Sequence, residues 1–206
     1  MIEWYVGNLH QALELATEAY EFGEMTRFLA NAGWNGRVKA LIETDLGLVE
    51  RARASAEAGV AQMDALGNGS FRVLSVAVLG RLELALGNAQ AAGRYLSALP
   101  ERLIASGLTD PTQPVWADAI ETLITLGELN RARPYVDAYE QSSRSFDSAW
   151  AAASAARCRG LLYAADGDLD GAFAAFDRAL LQLADTPFTF ERGRTLLCQG
   201  ISRRQA

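Results

Sequence analysis

Histidine, lysine and cysteine are nearly absent from this chain. Its 206 residues hold one His (His10), one Lys (Lys39) and two Cys (Cys158 and Cys198). So few soft ligands argue against a His/Cys metal site or a disulfide framework. Lys39 stands between Val38 and Ala40, so the Gly-Lys-Ser/Thr of a phosphate-binding loop is missing. Basic tracts are missing too: 19 Lys and Arg face 25 Asp and Glu, a net charge of −6. Direct nucleic-acid binding needs clustered cations to neutralise phosphates, and is disfavoured. No run approaches the roughly 18 apolar residues of a membrane span. The N-terminus has Glu3 and no basic stretch, unlike a signal peptide. These absences leave the cytoplasm as the default compartment, with no cofactor and no membrane partner expected.

What is present is a globular composition. Half the residues are apolar, 21% are charged and the mean hydropathy is +0.02. Eighteen Arg carry almost all the positive charge in an Ala-rich chain, a bias read as genomic. The dominant signal is a period of about forty residues. Gly occurs at 7, 47, 87, 127 and 167, and five residues after each stands Ala12, Ala52, Ala92, Ala132 or Ala172. Seven residues before each turn sits Ala40, Gly80, Ile120 or Gly160, with Ile120 the large exception; Gly200 precedes a turn due at 207. A fixed period of this length marks a repeat architecture.

Helical spacing fills the intervals. Leu9, Leu13, Ala16 and Tyr20 form one face of a helix, and Phe71–Leu86 and Asp147–Ala165 behave likewise. Gly suits the left-handed residue after a helix end, and Asn8, Asn88 or Asp168 can cap the next helix. Each period predicts helix A, a tight turn at the Gly, helix B, and a looser loop. The looser loops are expected at Gly23-Glu24, Leu66–Ser70, Leu108–Pro114, Ser142–Phe146 and Asp185–Pro187. The small residue before each turn is expected to face the Ala five after it. Pro100 predicts a kink or split between Tyr95 and Gly107, and a small boundary shift is expected to absorb Pro134. The fold expected is all-α, one continuous array over residues 1–206 of about five hairpins that must stack on their neighbours to bury their apolar faces.

The Gly, the Ala five later and the small residue seven before resemble the signature positions of tetratricopeptide repeats, stretched from 34 residues to about 40. Three stretches are more specific: Ala155–Leu162, Gly167-Asp168-Leu169-Asp170, and Pro187-Phe188 followed by Arg194–Leu197. They resemble the helical repeat arm of the large ATP-dependent LuxR-type transcriptional regulators, the group that includes the maltose-regulon activator. The resemblance implies a right-handed α-solenoid forming the arm of such a protein, a non-catalytic module for a protein partner or a small-molecule or peptide effector. Residues 1–6 read as the end of an A helix, which implies a fragment of a longer regulator. Solenoid ends without a polar cap expose core surface, so end-on self-association is a further expectation. The alternative is a free-standing adaptor with no regulatory role.

Other constellations read as structural. Asp166, Asp168, Asp170, Gly171 and Asp177 fit a calcium-loop pattern, but the repeat register makes Ala172–Ala184 helix from the start. Acids in a first helical turn also complement the helix dipole. Cys158 and Cys198 lie on successive A helices, about 8–10 Å apart, and are expected as small buried thiols. His10 is expected exposed, and Ser142, Ser143, Ser145 and Ser148 as a loop and cap. An all-helical enzyme would have to use Glu43, Asp45 or Glu83, single acids without a partner base.

A concave groove lined by A helices would use positions three before, one after and four after the small residue. These are Arg37, Leu41 and Thr44; Ala77, Arg81 and Leu84; Ala117, Glu121 and Ile124; Arg157, Leu161 and Ala164; Leu197, Ile201 and Arg204. Trp34, Arg37, Arg81, Glu121 and Arg157 are the candidate ligand residues, an apolar stripe whose arginines would clamp an anionic peptide or small ligand. The competing reading is a solvated face with stray charges.

Overall fold

The computed structural model describes residues 1–205, and all regular structure among them is α-helical. The helices fall into two compact units, residues 1–4 with 8–108, and residues 5–7 with the chain from 109 onward. The first unit starts with the short α1 (Ile2–Tyr5), whose Tyr5 belongs to the second unit. It continues with α2 (Leu9–Met25), α3 (Leu29–Asp45), α4 (Val49–Ala65), α5 (Gly69–Ala85), α6 (Ala89–Leu96) and α7 (Leu99–Ala105). The second unit holds α8 (Val115–Thr125), α9 (Leu129–Ser145), α10 (Ala149–Ala165), α11 (Leu169–Gln182) and α12 (Thr189–Gln205).

From α2 onward every helix of a unit packs on the next, and alternate helices also touch: α3 with α5, and α10 with both α8 and α12. Within each unit the A helices, α3 and α5 in the first and α8, α10 and α12 in the second, therefore pack on one another. Their sequences match that burden: α10, AWAAASAARCRGLLYAA, buries residues around most of its circumference. The B helices bury a single stripe, such as Ala52, Ala56, Gly59 and Met63 on α4, and turn polar residues outward. No helix of the described residues is long and apolar enough to cross a membrane.

One turn recurs between them. At Gly47 (φ +72°) the amide of Leu48 reaches back to the Glu43 carbonyl at 2.9 Å, and the Gly47 amide to Thr44 at 3.0 Å. This is a Schellman closure, which needs a left-handed residue and so favours Gly. Gly67 and Gly107 adopt it as well, and Arg27 does so at φ 55°. Helices α2 to α6 consequently begin at residues 9, 29, 49, 69 and 89. Three of the looser loops expected between hairpins are thus corrected. Gly23-Glu24 lies inside α2, where Gly23 lets the Ala32 backbone approach. Leu66–Ser70 holds a tight turn, and Ser142, Ser143 and Ser145 end α9, leaving Ser148 to cap α10 through the Ala151 amide.

The long loops are Thr109–Pro114 and the stretch before α12, and Pro supplies the reason. Pro111 and Pro114 lack donors and disfavour helix in the residue before them. Side chains satisfy the first loop's carbonyls: Ser142 Oγ donates to Thr109 O, Tyr139 OH to Pro111 O, and Tyr5 OH to Thr112 O. Pro100 lies in the first turn of α7, which starts at Leu99, and the expected split falls at Ser97-Ala98. Pro134 instead stays inside α9, which starts in the common register with no boundary shift, and the Asn130 carbonyl forgoes its bond.

Two further expectations change. Asp168 caps α11, accepting from the Gly171 amide at 2.9 Å, but Asn8 and Asn88 form no side-chain cap. Their amides donate backwards, to Glu3 Oε2 at 2.7 Å and Glu83 Oε2 at 3.0 Å. The small residue before a turn faces a position four beyond the Ala. A Cβ on Gly80 would lie 2.3 Å from Leu96, and one on Gly160 2.6 Å from the Phe176 ring. Ile120 fits because the equivalent residue across its hairpin is Val136; both are fully buried.

Candidate functional site

Burial decides what the candidate residues can do. Arg37, Arg81 and Arg157 are 4%, 5% and 0% exposed, so none stands on a solvated face. In the first unit Arg37 stacks on the Trp34 ring at 4.4 Å, and that ring meets Phe71 edge-on at 5.5 Å. Arg81 pairs with Asp45 at 2.8 Å, while the Trp4 indole donates to the other oxygen of Asp45 at 2.6 Å. Glu83 accepts from Arg53 at 2.6 Å and from Asn88. Those hydrogen bonds, above all that from Arg53, hold its carboxyl below the ordinary range. Glu43 pairs with Lys39 and Arg51. The three acids that an enzyme reading would use are all held in ion pairs.

The second unit gathers its charges at one point. Arg157 on α10 donates from Nη1 to Glu121 Oε2 at 2.6 Å and from Nε to Glu191 Oε1 at 2.9 Å. Ser154 Oγ adds a bond to Glu191 at 3.0 Å. Arg194 on α12 reaches Asp118 at 3.0 Å and Glu121 Oε2 at 3.1 Å. Burial opposes the charge of Glu121, but Arg157 and Arg194 outweigh it and hold the carboxyl below its usual range. Burial also disfavours the Arg157 cation, and Glu191 and Glu121 more than restore it. Three carboxylates, two guanidiniums and the Ser154 hydroxyl thus share the site. Asp118, Glu191 and Arg194 were not among the candidates. Nothing in the forty-residue period marks them: Arg157 and Glu191 are 34 residues apart, and Asp118 and Arg194 are 76.

Beside the cluster lies a cavity of about 410 Å³ between α8, α10 and α12. Its wall includes Glu121, Ile124, Leu161, Ala164 and Ile201, five of the expected groove positions, and Cys198. Trp34, Arg37 and Arg81 belong to the first unit, and Arg157 lies beneath the cavity rather than on it. Cys158 and Cys198 are buried free thiols. Burial pushes Cys158 up to about 12 and raises Cys198, so both are protonated at neutral pH. His10 is exposed, as expected. α11 is helical from Leu169, which leaves the aspartates around it in a turn and a first helical turn. Among the described residues no three His, Cys, Asp or Glu are placed to hold a metal ion. No protein-family model matches the chain, and no curated protein is similar to it in sequence.

Proposed function

We propose that the chain is a non-catalytic module that binds an effector or protein partner, built from right-handed, tetratricopeptide-like hairpins with a period of about forty residues. Its setting is the arm of a cytoplasmic LuxR-type transcriptional regulator, where an effector that prefers one packing of the hairpins shifts the population of the assembly. The observation that carries this reading is the cavity of the second unit. It is largely apolar with one convergent carboxylate, its volume lies in the roughly 300–1,000 Å³ range of ligand sites, and its wall holds Glu121, Ile124, Leu161, Ala164 and Ile201, groove positions that the tetratricopeptide resemblance implies. Neither the paired acids nor the buried thiols supply a base or a nucleophile.

A thermal-shift screen of a metabolite and peptide library tests this. A ligand that raises the melting temperature of the wild type and not of Leu161→Trp, which narrows the cavity, supports the module. Equal stabilisation of both proteins, or chemical turnover of the ligand, would sink it.

A further inference from the structure

The cavity over Glu121 has a chemical polarity that selects its ligand, a selection that rests on the effector-binding role. Both bonds to the Glu121 carboxylate go to Oε2. Oε1 has no hydrogen bond, yet it is not among the enclosed polar atoms, and the side chain keeps one-fifth of its exposure. That leaves an acceptor open to the cavity. The donors on the wall are spent: Thr125 Oγ1 donates to the Glu121 carbonyl at 2.8 Å, and Ser202 Oγ to the Cys198 carbonyl at 3.0 Å. Cys198 offers only a weak thiol. Arg157 Nη2 has no hydrogen-bond partner, but it is sealed within the cluster and does not line the cavity. The rest of the wall, Ile124, Leu161, Ala164, Ala165 and Ile201, is apolar.

An open carboxylate oxygen on a wall without free donors repels an anion and leaves a neutral acceptor unsatisfied. We propose that this cavity binds a small organic monocation, its ammonium donating to Glu121 Oε1 and its apolar body lying against Ile124, Leu161 and Ala164. The reverse preference, for an anion, would require Arg157 or Arg194 to face the cavity, and both are turned to carboxylates.

Isothermal titration calorimetry with three probes of similar size tests it: 2-phenylethylammonium, 2-phenylethanol and 3-phenylpropanoate. The ammonium is expected to bind the wild type, with the alcohol weaker by about tenfold or more, the worth of a charged hydrogen bond, and the carboxylate weaker still. Glu121→Gln keeps the shape, loses the charge, and should weaken the ammonium by a similar factor. Because that change also disturbs Arg157 and Arg194, Ala164→Phe serves as a second variant. It fills the cavity without touching the ion cluster and should abolish binding while circular dichroism shows an intact helical fold. Carboxylate or alcohol binding as tight as the ammonium's, lost in Ala164→Phe, overturns the cation and leaves the module standing. Ammonium binding that ignores Ala164→Phe, or no binding to the folded wild type, also overturns the cation. The library screen then judges the module separately.

Discussion

The two units bury similar helices and handle their buried charge differently. In the first, Glu43 and Glu83 sit in separate pairs, and several of their partners reach water: Arg51, which with Lys39 pairs with Glu43, is 58% exposed along its side chain. One small cavity there, lined by Tyr20, Gly36, Lys39 and Ser55, has its cation already committed to Ser55 and Glu43. In the second, Arg157 is enclosed among Glu121, Glu191 and Ser154, and the cluster ties α8, α10 and α12 together. Dispersed pairs with wet partners contribute little net stability. An enclosed network is costly to break and holds fixed charge beside a cavity. The difference separates a packing role from a site.

The largest expected effect tests that contrast. Arg157→Met leaves Glu121 and Glu191 without their main counter-ion and should destabilise the second unit by about 3–5 kcal/mol. Arg81→Met leaves Asp45 one charge short but still holding the Trp4 indole, and should cost the first unit less, about 2–3 kcal/mol. Hydrogen exchange reads each unit separately. Alkylation of Cys158 and Cys198, both buried, reports opening of the second unit alone. An Arg81 effect equal to that of Arg157 would erase the distinction.

The hairpin packing, by contrast, is common to both units. Gly80→Ala and Gly160→Ala drive a Cβ into Leu96 and Phe176, and each should cost about 1–3 kcal/mol by overpacking. Gly127→Ala meets nothing within 4 Å but keeps φ at +75°, so its cost should be only about 1 kcal/mol. Urea unfolding of the three variants checks that order.

Acid titration sharpens the comparison further. Glu83 in the first unit and Glu121 in the second both have carboxyls held below the ordinary value. A lowered folded pKa contributes stability that is complete above the unfolded value, about 4.3 for Glu. It is lost as pH falls through the lower folded value. Both units should therefore weaken below about pH 4.3. Glu121→Gln should flatten that limb in the second unit only, and Glu83→Gln in the first only, as followed by exchange against pH.

Much of the backbone was legible because its determinants are local. The Gly and the helix lengths repeat with the turn, and Pro100 announces its own split. The turn at Arg27 escaped because its left-handed residue is not Gly, and Gly67 and Gly107 escaped because the pattern was read at forty residues, where the turn recurs at twenty. Of the expected groove positions, Glu121, Ile124, Leu161, Ala164 and Ile201 line the cavity of the second unit, whereas Arg37, Leu41, Thr44, Ala77, Arg81, Ala117 and Arg157 are buried. The state of the arginines was not legible. Arg157 is spaced like a groove residue, and only the approach of Glu191 and Glu121 from neighbouring helices turns it inward. That pairing is tertiary and leaves no trace in helical period.

The smallest effect concerns the turn that has no glycine. Arg27 sits at φ 55° in a closure where Gly47, Gly67, Gly87 and Gly107 serve the same unit. A non-glycine residue in the left-handed region costs about 1–2 kcal/mol, and Arg27 is exposed. Arg27→Gly should remove that strain while adding freedom to the unfolded chain, a net gain of up to about 1 kcal/mol. For a unit of about 100 residues this is a rise of a few degrees in melting temperature. The second unit supplies the control: its turns at Gly127 and Gly167 are already relaxed, so Gly127→Arg should lower its stability by about what Arg27→Gly adds to the first. A drop on Arg27→Gly would mean that the arginine side chain stabilises the turn by more than its backbone strain costs.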